Sequence, residues 1–246
     1  MSANNEPEPN SVRSSGPSSS SSPSSPSSLD HPIFTESVGR IRAWLGPTGL
    51  GAPEQELLER LVHSSGDLAL APLLRFSPGA CARGMVALAG GAPILTDTAM
   101  AAAAVAPMAR RTFGNRVCSV LDWAPVAAPP GGTRSAAGMA AALAENPGAV
   151  VLIGSAPTAL ERLLELCPAE HFELHRDPAL ARNPAPALVI GMPVGFVGVA
   201  ESKRHLAASG LAQIRLEGSR GGAGLVAAAV NALLRRAWLD QCSLGG

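Results

Sequence analysis

The sequence contains no tyrosine, and only five phenylalanines and three tryptophans among 246 residues. A core without large rings is filled by aliphatic side chains and by close backbone approach, which the 26 glycines permit. That economy suits helices lying flat on a parallel sheet. Excess charge of either sign is also missing: 19 basic residues balance 19 acidic ones. Nothing therefore draws the chain as a whole to nucleic acid or to an anionic membrane. No apolar run reaches the roughly twenty uninterrupted residues that a membrane span requires. Cys81, Cys118, Cys167 and Cys242 show neither CxxC spacing nor a histidine partner in sequence, so no zinc or iron-sulfur signature is present. They read as reduced, mostly buried small side chains. His171 and His175 are spaced by four, but Pro168 and Pro178 crowd their segment and no further ligand is evident, so no metal site is expected.

Residues 1–30 are dominated by serine and proline. Such a segment buries too little surface to offset the entropy of ordering it, so it is expected to be a disordered tail, with residues 31–246 forming one domain. The tail has neither the basic start and apolar core of a secretory signal nor the arginine-rich pattern of a transit peptide, and cytoplasmic residence is expected.

The rest reads as helices and strands in alternation. PIFTESVGRIRAWL and EQELLERLVHSS carry apolar residues at helical spacing, with Ile33, Val38, Ile41 and Trp44 or Leu45 marking the first. Ser77 and Pro78 predict the start of a short helix, as N-cap and first helical residue. APILTD and RVCSVLD (116–122) predict strands, and TAMAAAAVAPMARR a helix disturbed at Pro107. Three strand, loop and helix units come next: AVVLIG with SAPTALERLLELC, PALVIG with AESKRHLAAS, and AQIRLEG with LVAAAVNALLRRAWL. They predict a three-layer αβα fold, a single domain with a largely parallel central sheet. In such sheets ligands bind beyond the carboxyl ends of the strands, where this chain concentrates glycines and polar residues.

Gly222, Gly224 and Ala227 fit GxGxxA, but too near the end of the sequence for a following acidic ribose ligand, and no GK[ST] succeeds the glycines. No nucleotide cofactor is expected. GSRGGAG instead offers backbone amides and Arg220 to an anion, TRSAA offers Thr133, Arg134 and Ser135 at a helix start, and GSAPTA offers Ser155 and Thr158 beside helix-end amides. Any one alone is more often a plain helix cap; three together suggest a ligand with several negative groups. Asp97 and Asp122 read as bases, as positioning acceptors, or as caps of the helix or loop next in the chain. Glu201 and Lys203 read as surface or capping residues, with Glu201 and Ser202 near enough to the strand ends to line a pocket. In MPVGFVG, Gly195 and Gly198 allow close approach of a flat ligand or another subunit, with Met192 and Phe196 as an apolar wall. His63, where a helix gives way to Ser64, Ser65 and Gly66, is the best acid or base by chemistry, though a histidine in a last helical turn also serves the terminal carbonyls.

LVHSSGD, FSPGA, GAPILTD, TRSAA, GSAPTALERLLEL, PALVIGMPVGFVGVAESK and GSRGGAGLVAAAVNAL, in this order, resemble the precorrin-8X methylmutase family, which includes cobalt-precorrin-8 methylmutases. The resemblance covers roughly residues 31–235. It implies an isomerase of cobalamin biosynthesis that shifts the C11 methyl of precorrin-8X or cobalt-precorrin-8 to C12, giving hydrogenobyrinate or cobyrinate. It implies an α/β homodimer with sites near the subunit interface, a corrinoid substrate and no cofactor. The family's catalytic histidine aligns with His63, and Ser37 and Arg42 match its N-terminal substrate-contacting helix. Phe34 and Thr35 differ enough in register to be left unassigned. HSSG stands where many members have cysteine before the glycine, and Ser155 stands where an asparagine is more common. A ring bearing many carboxylates would use Arg116, Arg134 and Arg220 as clamps, with Thr133, Ser155, Thr158, Gly195, Phe196, Gly221 and Gly222 as further contacts. A non-catalytic corrinoid carrier on the same fold is the alternative.

Overall fold

In the computed structural model residues 30–167 and 185–244 are described; the tail and the pair His171 and His175 lie outside them. The elements are α1 (Pro32–Leu45), α2 (Ala52–Ser65), a 3-10 helix (Leu68–Leu73), β1 (Leu74–Phe76), α3 (Ala80–Ala89), β2 (Ile94–Thr96) and α4 (Ala99–Arg111). Then come β3 (Val117–Ser119), a second 3-10 helix (Val120–Trp123), α5 (Arg134–Glu145), β4 (Val150–Ile153), α6 (Pro157–Leu166), β5 (Leu188–Gly191), α7 (Val199–Ala208), β6 (Gln213–Leu216) and α8 (Ala223–Leu244). The strands form one sheet in the order β1-β6-β5-β4-β2-β3, parallel except where β1 runs against β6. This is the expected three-layer αβα domain.

Alternation along the strands assigns the layers. Val150, Leu152, Leu188, Ile190 and Ile214 pack with α2, α3, α4 and α8 through Leu57, Leu61, Leu88, Val105 and Leu233. Val151, Ile153 and Val189 face the other way, onto Met139 and Leu143 of α5, Leu160 and Leu163 of α6, and Leu206 of α7. Small residues let the layers close up. At Gly138 of α5 a Cβ would collide with the Val120 carbonyl oxygen, and at Gly221 with that of Met192. Cys81 and Cys167 are buried and Cys118 and Cys242 half-buried, all four as free thiols; burial pushes the Cys81 thiol up to about 12.

Several local expectations are corrected. The helix expected at Ser77 begins at Ala80, because Ser77 is used elsewhere: its hydroxyl and amide bond the backbone of Gln213, extending the β1–β6 pairing. The expected strand 116–122 ends at Ser119, where the Ser119 hydroxyl and the Asp122 carboxylate form a capping box that starts the second 3-10 helix. Asp122 is thus a cap and not a base. Pro107 lies inside α4, which runs on to Arg111. In α1 the inward stripe is Phe34, Val38, Ile41 and Leu45, while Ile33 and Trp44 are 70% and 68% exposed. Asp30, assigned to the tail from composition, joins the folded domain through an ion pair with Arg235 of α8.

Asp97 caps no helix of its own, since Thr98 caps α4. Its buried carboxylate crosses to the β4–α6 turn and accepts the amides of Gly154 (3.1 Å), Ser155 (2.6 Å) and Ala156 (2.8 Å). Burial pushes its pKa up against the pull of these donors. A buried carboxylate so bonded serves the fold, not base chemistry. Asp97→Ala strands three amides and should lower unfolding free energy by about 3 kcal/mol, read from urea denaturation. Gly221→Ala, forced against Met192, should cost about 1–3 kcal/mol in the same measurement.

Candidate functional site

His63 lies in the last turn of α2, which Gly66 closes in the left-handed conformation (φ 67°), its amide bonded to Val62. His63, Ser64, Ser65 and Gly66 are all exposed. The imidazole is not spent on the terminal carbonyls. Its Nδ1 meets the Ser37 hydroxyl of α1 at 2.8 Å, and the Phe34 ring packs edge-on at 5.1 Å. Arg60, one turn earlier on α2, stacks on Phe34 with its guanidinium carbon 4.7 Å from the ring centre. Partial burial, with the Arg60 charge second, holds the His63 pKa below the usual 6.5.

Behind this group is a cavity of about 120 Å³ lined by Phe34, Val38, Arg42, Glu59, Arg60 and Arg235, among others. Arg42 grips the buried Glu59 with two bonds, Nε to Oε1 at 2.7 Å and an end nitrogen to Oε2 at 2.8 Å. An isolated carboxylate there would be costly, so Arg42 is engaged in neutralising it. Arg235, held by Asp30 and Glu56, closes the far side.

The loops leaving β5 and β6 are tied together. The Gly195 amide donates to Ser219 (3.1 Å) and the Gly222 amide to Met192 (2.9 Å). Gly222 therefore has no free amide for an anion, and Gly221 serves close packing. Met192 is fully buried and is no wall of a site, whereas Val194, Phe196 and Val197 are exposed, Phe196 by 94%. Arg220 reaches across to the turn after His63 and pairs with Asp67 at 2.8 Å. Lys203, expected at the surface, is 2% exposed and donates to the carbonyls of Gly218 and Arg220. Ser202 is buried and bonds Val199 of its own helix, so it lines no pocket; Glu201 is exposed and pairs with Arg204.

Thr133 caps α5 by accepting from Ala136, and its hydroxyl meets that of Thr158 in α6 at 2.7 Å. Ser155 stands in the turn that leads into α6, but its amide, with those of Gly154 and Ala156, is taken by Asp97. The helix-end amides expected to be free are thus committed. Ser135 is buried and bonds the Asp97 carbonyl. Arg134 is exposed; its Nε donates to Pro125 and it makes no ion pair among the described residues. Arg116 is apart from all of these. It precedes β3 at the amino ends of the parallel strands and bonds Asn146, which comes directly after α5.

The structure therefore joins Ser37 and His63, links them through Asp67 to Arg220, Gly221, Gly222 and Gly195, and pairs Thr133 with Thr158. It separates Arg116. Phe34, left unassigned from the sequence, and Arg60, which the sequence did not single out, pack beside His63, and Asp67 ends the turn that follows it. A signal for Arg60 exists, since it precedes His63 by three and shares its helix face; Phe34 requires knowledge of where α1 docks. Among the described residues no group of three potential ligands could hold a metal ion, and no helix is long and apolar enough to cross a membrane.

The precorrin-8X methylmutase family model matches residues 32–236. A cobalt-precorrin-8 methylmutase of Synechocystis is 39% identical over 86% of this chain and 98% of its own length. A precorrin-8X methylmutase of Pseudomonas aeruginosa is 43% identical over 82% and 93%. The crystal structure of the precorrin-8X methylmutase from Thermus thermophilus superposes with a TM-score of 0.70 at 36% identity, over 85% of this chain and 96% of that one. Fold, motif order and these likenesses agree, and the chain belongs to the precorrin-8X methylmutase family.

Proposed function

We propose that the chain is an isomerase that moves the C11 methyl of precorrin-8X, or of cobalt-precorrin-8, to C12, with His63 as its acid–base residue. The family match across residues 32–236 carries the reaction. The exposed imidazole, bonded through Nδ1 to Ser37, carries the role of His63. With Nδ1 engaged, Nε2 is the nitrogen left for a ligand. In the neutral ring with Ser37 donating to Nδ1, Nε2 carries the only proton; in the imidazolium Nδ1–H donates to Ser37 and Nε2–H is free to donate to a ring nitrogen of the substrate. A methyl shift within one conjugated ring needs such a proton donor and no redox partner.

Before substrate arrives, burial and Arg60 disfavour the imidazolium. Carboxylates of the bound ring supply the opposing charge, so proton uptake by His63 accompanies binding. Arg134 and Arg220 are the carboxylate clamps, Arg134 without an acidic partner among the described residues and Arg220 while it stays paired with Asp67. Thr133, Thr158 and Ser155 offer hydroxyls. Arg42 and Arg116 contribute only if Glu59 and Asn146 release them. The exposed Val194, Phe196 and Val197 support an apolar seat for the macrocycle or for a second copy of the chain, in a cytoplasmic homodimer with sites near its interface.

His63→Ala should fold, bind corrinoid and lose about 10² to 10⁴ in turnover, measured anaerobically by absorption with both the metal-free and cobalt substrates. Near-normal turnover removes His63 from the mechanism, and binding without conversion by the unaltered chain leaves a carrier. Arg60→Gln removes a positive charge beside His63 and should raise its pKa toward the usual value, as measured by NMR titration of the ring protons. A value that stays put or falls contradicts the electrostatic account.

A further inference from the structure

We infer that Lys203 is a positioning residue for His63, acting through the 218–220 loop and the Arg220–Asp67 ion pair. The inference rests on the catalytic reading of His63 given above. Lysine is rarely fully buried, and here no carboxylate among the described residues pairs with it. Glu217, which lines the same cavity, pairs with Arg75 at 2.9 Å and with Arg215 at 3.8 Å. The ammonium of Lys203 instead donates to the carbonyls of Gly218 at 2.8 Å and Arg220 at 2.7 Å. Between them the Ser219 carbonyl accepts the Gly195 amide. Three consecutive carbonyls of one loop are thereby fixed, two by α7 and one by the loop entering it. A methionine would fill the same space without holding the loop.

What the loop presents is Arg220. Its guanidinium meets Asp67, whose other oxygen accepts the Ala69 amide at 2.9 Å and whose own amide donates to Ser65 at 3.2 Å. Asp67 thus caps the 3-10 helix that follows α2 and, through Ser65, is tied to the last turn of α2, four residues after His63. The path starts on the α7 side of the sheet, rounds the carboxyl edge of β6 and ends on the α2 side, where no direct packing joins Lys203 to the histidine. The charged side chains that share a cavity lining with Lys203 are Arg204 of its own helix and Arg215 and Glu217 from β6 and its exit; Arg75 of β1 pairs with Glu217, and on α6, which packs against α7, Glu161 is bonded to His205. Burial lowers the Lys203 pKa to about 8. The amine is cationic below that pH and neutral above it, so its grip on the carbonyls weakens as the solution becomes alkaline.

The test compares Lys203→Met, Lys203→Arg and Arg220→Gln in the full chain, with the ring NMR signals of His63 and the pH dependence of kcat and KM as readouts. Lys203→Met should move or broaden the His63 signals and lower kcat about ten-fold or more, with a smaller change in KM. Lys203→Arg, which can still donate and does not titrate, should keep the signals and flatten the alkaline fall near pH 8. In an Asp67→Asn background the Lys203→Met loss should shrink, because the path is already cut. Should Lys203→Met fail to fold, Arg220→Gln, altered at an exposed side chain, must move the His63 signals. Unmoved signals in the folded variants, or a Lys203→Met loss of full size beside Asp67→Asn, overturn the inference. Absence of turnover by the unaltered chain would defeat the catalytic reading instead, and the NMR comparison would still decide the positioning.

Discussion

The close approach of the loops leaving β4, β5 and β6 governs everything at the carboxyl edge of the sheet. Gly154 lies against the backbone of Gly222 and Ala223, Gly221 against the Met192 carbonyl, and the Gly222 and Gly195 amides bond the neighbouring loop. Asp97 takes the amides of the β4–α6 turn. Main-chain groups in this region are therefore largely satisfied by one another, as buried polar groups must be. The amides of Gly154, Ser155, Ala156, Gly195 and Gly222 are committed within the fold. In the proposed function the carboxylates of the ligand are met by the hydroxyls of Thr133, Thr158 and Ser155 and the guanidinium groups of Arg134 and Arg220.

That constraint also explains which parts of the molecule are legible in sequence. The strands β4 and β5 are apolar runs that end at or just before glycine, and burial on both faces is what such runs signal. The helices declare themselves by period, and the family strings identify the site turn. β1 does not. Its three residues have no period of their own, and its pairing depends on Ser77 meeting Gln213, a contact spanning much of the chain. The same long reach turns Ser77 from a helix cap into a sheet partner.

Lys203 and Asp97 show the same limit among polar residues. Near the start of a helix a lysine reads as solvated, and at the end of a strand an aspartate reads as a cap. Neither reading includes the loop that folds back over it. Burial of a charged group is a tertiary fact, decided here by loop carbonyls in one case and by three amides in the other. The conformation of GSRGGAG escapes a sequence reading for a related reason: its glycines suggest ligand approach, whereas the neighbour they admit is the chain itself.

His63 is the point at which these constraints meet electrostatics. The acidic residues near it are already matched, Glu59 by Arg42, Asp30 and Glu56 by Arg235, and Asp67 by Arg220. Arg60 makes no ion pair within 4 Å among the described residues and feels Asp30 only at longer range; its Nε is buried without a hydrogen-bond partner and its plane rests on Phe34. Burial of His63 and, second to it, the Arg60 charge both disfavour the imidazolium. A neutral imidazole bonded to Ser37 is fixed in orientation but holds no surplus proton. Protonation then depends on negative charge brought by the ligand. In the proposed reaction that charge comes with the carboxylates of the ring, so the donor is armed by the molecule it acts on.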